Sequence, residues 1–194
     1  MAKKESTIVN MVLTLFIITF VASSILGLVN EATKEPIQLA KKKNITEKIQ
    51  KVVPAFDNNP GDEKYTLPAV DGLGDLTFYP AKKGGELVGV AVETFTMLGF
   101  SGKISLMVGM LPDGTIQRIE VLEHNETPGL GDKMDTEKSD FHVQFQGKNP
   151  SDFKLSVTKD GGDVDAITAS TISSRAYCDA VNRAYETYMK GGKK

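Results

Sequence analysis

Residues Ile8 to Val29 form a run of 22 residues without a charged side chain, and no other feature restricts this chain as strongly. A stretch this long and apolar needs a solvent other than water along most of its surface. As an α-helix it reaches ~33 Å, enough to cross a hydrocarbon core of about 30 Å. Only Asn10, Thr14, Thr19, Ser23, Ser24 and Gly27 weaken its apolar character. A cleaved signal peptide is the competing reading, because Lys3 and Lys4 precede the run. Signal-peptide cores span about 7–15 residues and end in an Ala-x-Ala-like site. This run is longer and lacks such a site, so a permanent single-span anchor is expected over residues 1–30.

The rest of the 194-residue chain has room for one soluble domain with a sizeable core. Glu31 to Val53 is Lys-rich, with Ile37, Leu39, Ile45, Ile49 and Val52 spread through it, and a helical connector is expected over residues 31–60. Its lysines suit a solvated helix or anionic lipid headgroups, the latter worth about 1 kcal/mol per charge. Pro54 and the Asp57-Asn-Asn-Pro-Gly61 cluster mark a boundary. From Leu76 onward the pattern is β. Leu76–Tyr79 and Glu86–Met97 flank Lys82-Lys-Gly-Gly85, and Lys103–Met110 and Thr115–Leu122 flank Pro112-Asp-Gly114, two hairpin signals. Ile116, Ile119, Val121 and Leu122 alternate imperfectly, which predicts cover on both faces of that strand. Phe141 to Phe145 alternates as a further strand, and Leu155 to Thr158 reads as one more short strand. Strands closed by a C-terminal helix predict an α+β domain, an antiparallel sheet with the helix laid on it, over residues 61–194.

Composition excludes several functions. Residues 61–194 carry 15 Lys or Arg against 20 Asp or Glu, a net of −5, so nothing favours a nucleic-acid partner. The two histidines, His124 and His142, lack ligands at zinc spacing, and no metal site is expected. His124 reads as the end of a strand. The lone Cys178 forbids an intrachain disulfide and reads as core filling. No nucleophile elbow, P-loop or dinucleotide fingerprint is present, so no catalytic residue is assigned.

Two segments carry chemistry. Asp165-Ala-Ile-Thr-Ala-Ser-Thr-Ile-Ser-Ser174 sets Thr168, Ser170, Thr171 and Ser173 at the mouth of a helix expected from Ile172 to Met189. Tyr177, Val181, Ala184 and Tyr188 form one stripe of that helix, and Arg175, Asp179, Asn182 and Glu186 another. A helix N-terminus presents unpaired N–H groups and a partial positive charge, which hold a phosphate. Ser and Thr also cap helices by satisfying those same groups, and local chemistry leaves both readings open. The second segment, His124-Asn-Glu-Thr-Pro-Gly-Leu-Gly131, reads by itself as a strand-to-helix turn, with Pro128 fixing φ and Gly129 allowing close approach.

Together the two segments resemble the FMN-binding domain of the Rnf and Nqr redox complexes. In that family the motif Asp-x-x-Ser/Thr-Gly-Ala-Thr-x-Ser/Thr carries FMN through a phosphoester bond to its Thr hydroxyl. Asp165, Thr168, Thr171 and Ser173 fall on the motif positions, while Ala169 stands where Gly is usual and Ser170 where Ala is usual. A Gly at that position raises the question of a positive φ, which the Cβ of Ala169 disfavours. The Glu126-Thr-Pro-Gly-Leu-Gly131 loop matches fully.

The resemblance implies covalent FMN on Thr171, with Asp165, Thr168, Ala169, Ser170, Ser173, Glu126, Thr127, Gly129 and Leu130 around it. Leu130 would be an apolar wall, and Glu126 a partner for backbone amides or the ring edge. It further implies an electron-transfer protein of the kind found as the G subunit of Rnf complexes, where ferredoxin:NAD oxidoreduction drives Na⁺ or H⁺ translocation. The implied partners are the remaining members of such a membrane complex, membrane lipid and a flavin transferase. The alternatives are the C subunit of a sodium-pumping NADH:quinone reductase, or a membrane-tethered extracytoplasmic module without cofactor. Lys34, Lys41, Lys42, Lys43, Lys48 and Lys51 follow the span, so a literal positive-inside count would place the domain in the cytoplasm. The family instead places it on the extracytoplasmic side of the cytoplasmic membrane, and that orientation is the expectation here.

Overall fold

The structure is a computed structural model and describes residues 7–192; Lys3 and Lys4, which flank the apolar run, lie outside the described residues. The chain divides into two units, Met1–Asn44 and Ile45–Lys194. Helix α1, Ile8–Val52, is continuous and has Pro36 inside it. Its apolar window has a mean hydropathy of 2.5 and none of it is buried, so by length and composition it can cross a membrane. Thr14, Thr19 and Ser24 donate their hydroxyls back to the carbonyls of Asn10, Leu15 and Phe20. Those hydroxyls therefore need no water, the condition a hydrocarbon environment sets.

The second unit is built on one five-stranded antiparallel sheet in sequence order. Its strands are β1 (Tyr65–Pro68), β2 (Asp75–Lys83), β3 (Glu86–Gly99), β4 (Gly102–Met110) and β5 (Ile116–His124). Each pairs with the next, as short hairpin turns dictate. The period-two alternation splits the strands between two cores. Phe78, Val90, Val92, Ile104, Leu106 and Val108 face α2 (Thr171–Thr187), whose Tyr177, Val181 and Ala184 are fully buried. Tyr79, Ala81, Ala91 and Met107 point the other way, onto Ile49, Val52 and Val53 at the end of α1. The sheet is thus covered on both faces, as the imperfect alternation of β5 predicts. Gly109 makes that approach possible, since a Cβ there would run into the Val52 carbonyl oxygen.

The stripe from Tyr177 to Tyr188 is buried as expected, and Cys178 fills core at 2 % exposure. The helix ends at Thr187 and gives way to a π turn, Tyr188–Gly192. Thr94 and Thr96 of β3 hold it through the Ala180 carbonyl at 3.0 Å and the Asp179 carboxylate at 2.7 Å.

Several expectations are corrected. Strand β1 precedes Leu76, where the β pattern is read to begin. Phe141–Phe145 is a 3₁₀ helix, not a strand. Its alternation misleads because Val143 points to solvent while Phe141 and Phe145 turn together onto Tyr177, with ring centroids 5.1 and 5.2 Å away. That is the i, i+4 spacing of a helical turn. Leu155–Thr158 forms no strand. Only Val157 makes an isolated parallel bridge, to Val164, while the Lys154 N–H goes to the Asp163 carboxylate at 2.7 Å.

Candidate functional site

Strand β5 ends at His124, and the chain turns into the Glu126–Gly131 loop. The turn is held by the Glu126 N–H, which donates to His124 Nδ1 at 3.0 Å; Nε2 then carries the ring proton and faces Asp135 at 3.2 Å. Beyond the loop a short 3₁₀ helix, Gly131–Met134, brings Asp132 within 2.8 Å of the Lys138 ammonium. That hydrogen bond holds the Asp132 carboxyl below its ordinary range.

The second segment reaches α2 through a strained residue. Ala169 has φ +60, the one positive-φ non-glycine residue among those described. This left-handed geometry costs an L-residue roughly 1–2 kcal/mol. It bends the chain so that Ser170 becomes the N-cap, yet Ser170 makes no side-chain capping bond. The neighbouring hydroxyls are committed elsewhere. Ser174 accepts the Ile167 N–H at 2.9 Å and donates to the Ser170 carbonyl at 3.0 Å. Ser173 donates to Glu126 Oε2 at 2.5 Å. Thr171 takes part in none of these bonds and is half-buried.

The two segments meet at a cavity of about 310 Å³. It is lined by Glu126, Thr127, Leu130, Ala169, Ser170, Thr171 and Ser173, seven residues that the motifs single out. Phe100, Gly131 and Ile172 complete the lining. Asp165, Thr168 and Gly129 do not line it. Asp165 is exposed, its backbone N–H donating to Gln144 Oε1 at 2.8 Å and its carbonyl accepting from Gln144 Nε2 at 3.2 Å. Thr168 is exposed, and Gly129 supplies a φ of +79 to the loop. Glu126 does bond a backbone amide, the Ser101 N–H at 2.9 Å.

Sequence reasoning passed over Phe100. It stands at the tip of the β3–β4 hairpin, 68 % exposed, beside the equally exposed Met97 and Leu98. An aromatic in a turn between two glycines, Gly99 and Gly102, was the available signal. Ile172 and Leu130, 48 % and 41 % exposed, give the cavity two more apolar walls.

An open, apolar-walled pocket next to a helix N-terminus without a side-chain cap suits a ligand with a flat ring and a phosphate. Comparison with known proteins agrees. Residues 99–186 match the FMN-binding domain family. The chain is 38 % identical over 179 residues to the G subunit of the ion-translocating oxidoreductase complex of Erwinia tasmaniensis, covering 88 % of this chain and 84 % of that protein. It is 36 % identical over 183 residues to the protein of the same name from Vibrio cholerae, covering 90 % and 87 %. The chain belongs to this family of ion-translocating oxidoreductase G subunits. The crystal structure of Shewanella oneidensis NqrC is a more distant likeness: TM-score 0.43, 26 % identity, 59 % of this chain and 55 % of that one.

Proposed function

We propose that this chain is the membrane-anchored flavin protein of an ion-translocating oxidoreductase complex and carries FMN as a phosphoester of Thr171. The observation that carries the reading is the convergence of seven motif residues on one cavity, with Thr171 at the N-terminus of α2. FMN bound there supplies one- and two-electron transfer; the protein positions it and tunes its potential. Thr171 is the tether rather than a catalytic group. The first turn of α2 stabilises the remaining phosphodiester charge by roughly 0.3–1 kcal/mol. Phe100, Leu130 and Ile172 would give the ring apolar contacts.

In this reading residues 1–30 are the anchor, 31–60 a connector, and 61–194 a flavin domain on the extracytoplasmic side of the cytoplasmic membrane. The remaining members of the complex are its partners, lipid surrounds the uncharged Ile8–Val29 part of α1, and a flavin transferase attaches the cofactor. The complex couples ferredoxin:NAD oxidoreduction to Na⁺ or H⁺ movement. The names of the relatives, matched over most of their length, support the G subunit of such a complex rather than the C subunit of a quinone reductase.

Thr171→Ala tests the linkage. Co-expressed with a flavin transferase, the wild-type chain shows a fluorescent band in a denaturing gel and an intact mass raised by one FMN minus water. The variant reaches the membrane without either signal. Flavin retained on the variant, or mapped by peptide mass spectrometry to Ser170 or Thr168, overturns the assignment.

A further inference from the structure

Glu126 lines the proposed flavin cavity, and nothing in the reading so far uses its charge. The side chain is 5 % exposed. Oε1 accepts the Ser101 N–H at 2.9 Å and Oε2 accepts the Ser173 hydroxyl at 2.5 Å. Both partners donate, the pattern an ionised carboxylate takes. No cation pairs with it among the described residues, in contrast to the buried Glu120, which has Lys48 and Arg118. Two glycines are shaped around it. A Cβ on Gly99 would lie 2.8 Å from Oε1, and one on Gly131 would lie 2.6 Å from Oε2. An unneutralised carboxylate is therefore fixed in the wall of the cavity.

We infer that Glu126 sets the midpoint potential of the flavin, holding it low. The inference rests on FMN occupying this cavity. Two electrons and one proton convert the oxidised ring to a reduced form with one added negative charge. A fixed negative charge in a partly dry pocket opposes that addition far more than it would in water. Glu126 acts on the cofactor through its field and through the two segments it holds, the hairpin tip at Ser101 and the first turn of α2 at Ser173.

Glu126→Gln is the matched variant. The Gln Oε1 accepts from Ser101 and Nε2 donates to Ser173 Oγ, so shape and both hydrogen bonds persist while the charge goes. The experiment is a mediated redox titration of full-length, flavin-loaded protein in detergent. The flavin that this variant loads titrates at a higher potential than in wild type. Glu126→Asp, which keeps the charge, stays closer to wild type than the Gln variant. A fully loaded Glu126→Gln protein with an unchanged or lower potential overturns the inference. So does a folded Glu126→Gln protein that takes up no flavin, because the carboxylate then serves attachment instead. If that variant does not fold, Ser173→Ala carries the test. Removing one donor leaves the charge less compensated, so its flavin titrates below wild type, and any other result overturns the inference. Wild-type protein that binds no flavin at all would instead remove the proposed function on which this rests.

Discussion

Ala169 shows how one methyl group separates a family pattern from this chain. Its φ of +60 is a conformation that glycine adopts without strain and alanine does not. Ala169→Gly relieves that strain but loosens the unfolded chain, an opposing effect of about 0.4–1 kcal/mol. The variant is therefore expected to be as stable as wild type or more so by up to about 1.6 kcal/mol, unlike Ala→Gly at an ordinary site. Ala169→Val, whose branched Cβ tolerates positive φ least, lowers stability. Denaturant unfolding of the detergent-solubilised protein measures both, and a marked loss in the Gly variant would contradict the strained geometry.

The C-terminal helix was readable as an element because its stripe repeats at 3.6 residues and every member faces the sheet. Phe141–Phe145 was not, because five residues with alternating apolar positions fit a strand or a helical turn equally well. The decision came from Tyr177, far along the chain, against which both rings pack. Phe145 is fully buried in that cluster, so Phe145→Ala should cost ~3–5 kcal/mol, read as a lower denaturant midpoint with an unchanged slope. Gly109 plays a similar part for the end of α1. Gly109→Ala forces its Cβ into the Val52 carbonyl, for about 1–3 kcal/mol or more. Faster proteolysis in the Ile45–Val53 segment would show the helix end lifting, and unaltered cleavage would argue against that packing.

Across the whole molecule, Glu120 ties the outer face of the sheet to the end of α1. It is fully buried, with Lys48 at 2.8 Å, Arg118 at 3.0 Å and the Thr136 hydroxyl at 3.3 Å. Burial alone would raise its carboxyl, but the bonds and charges of Lys48 and Arg118 outweigh burial and hold it below the usual range. A folded value below the unfolded one means the contribution is fully present above about pH 4.3 and is lost as pH falls through the folded value. Lys48→Met should cost ~1–3 kcal/mol at neutral pH and flatten the acid-induced loss of stability as pH falls from neutral through the carboxylate range, measured by urea unfolding. The proposed topology belongs to this scale too. A cysteine at the exposed Lys159 should react with a membrane-impermeant maleimide in intact cells, while the buried Cys178 stays unlabelled. Reaction only after the membrane is broken would reverse the orientation.

What the sequence determined by itself is what short-range pattern encodes: the uncharged span, the hairpins at Lys82–Gly85 and Pro112–Gly114, the amphipathic C-terminal helix, and two segments that resemble those of an FMN-binding family. Each is written in neighbouring residues, where period and turn chemistry act over a few positions. Tertiary structure alone decided that β1 pairs at the sheet edge, that Phe100 at a distant hairpin tip joins the cavity, and that Asp165 and Thr168 stand outside it. It alone gave Glu126 two donors, Ser101 and Ser173, 25 and 47 positions away. Such contacts join residues far apart in the chain, and no local propensity carries information about which distant partner a side chain will meet.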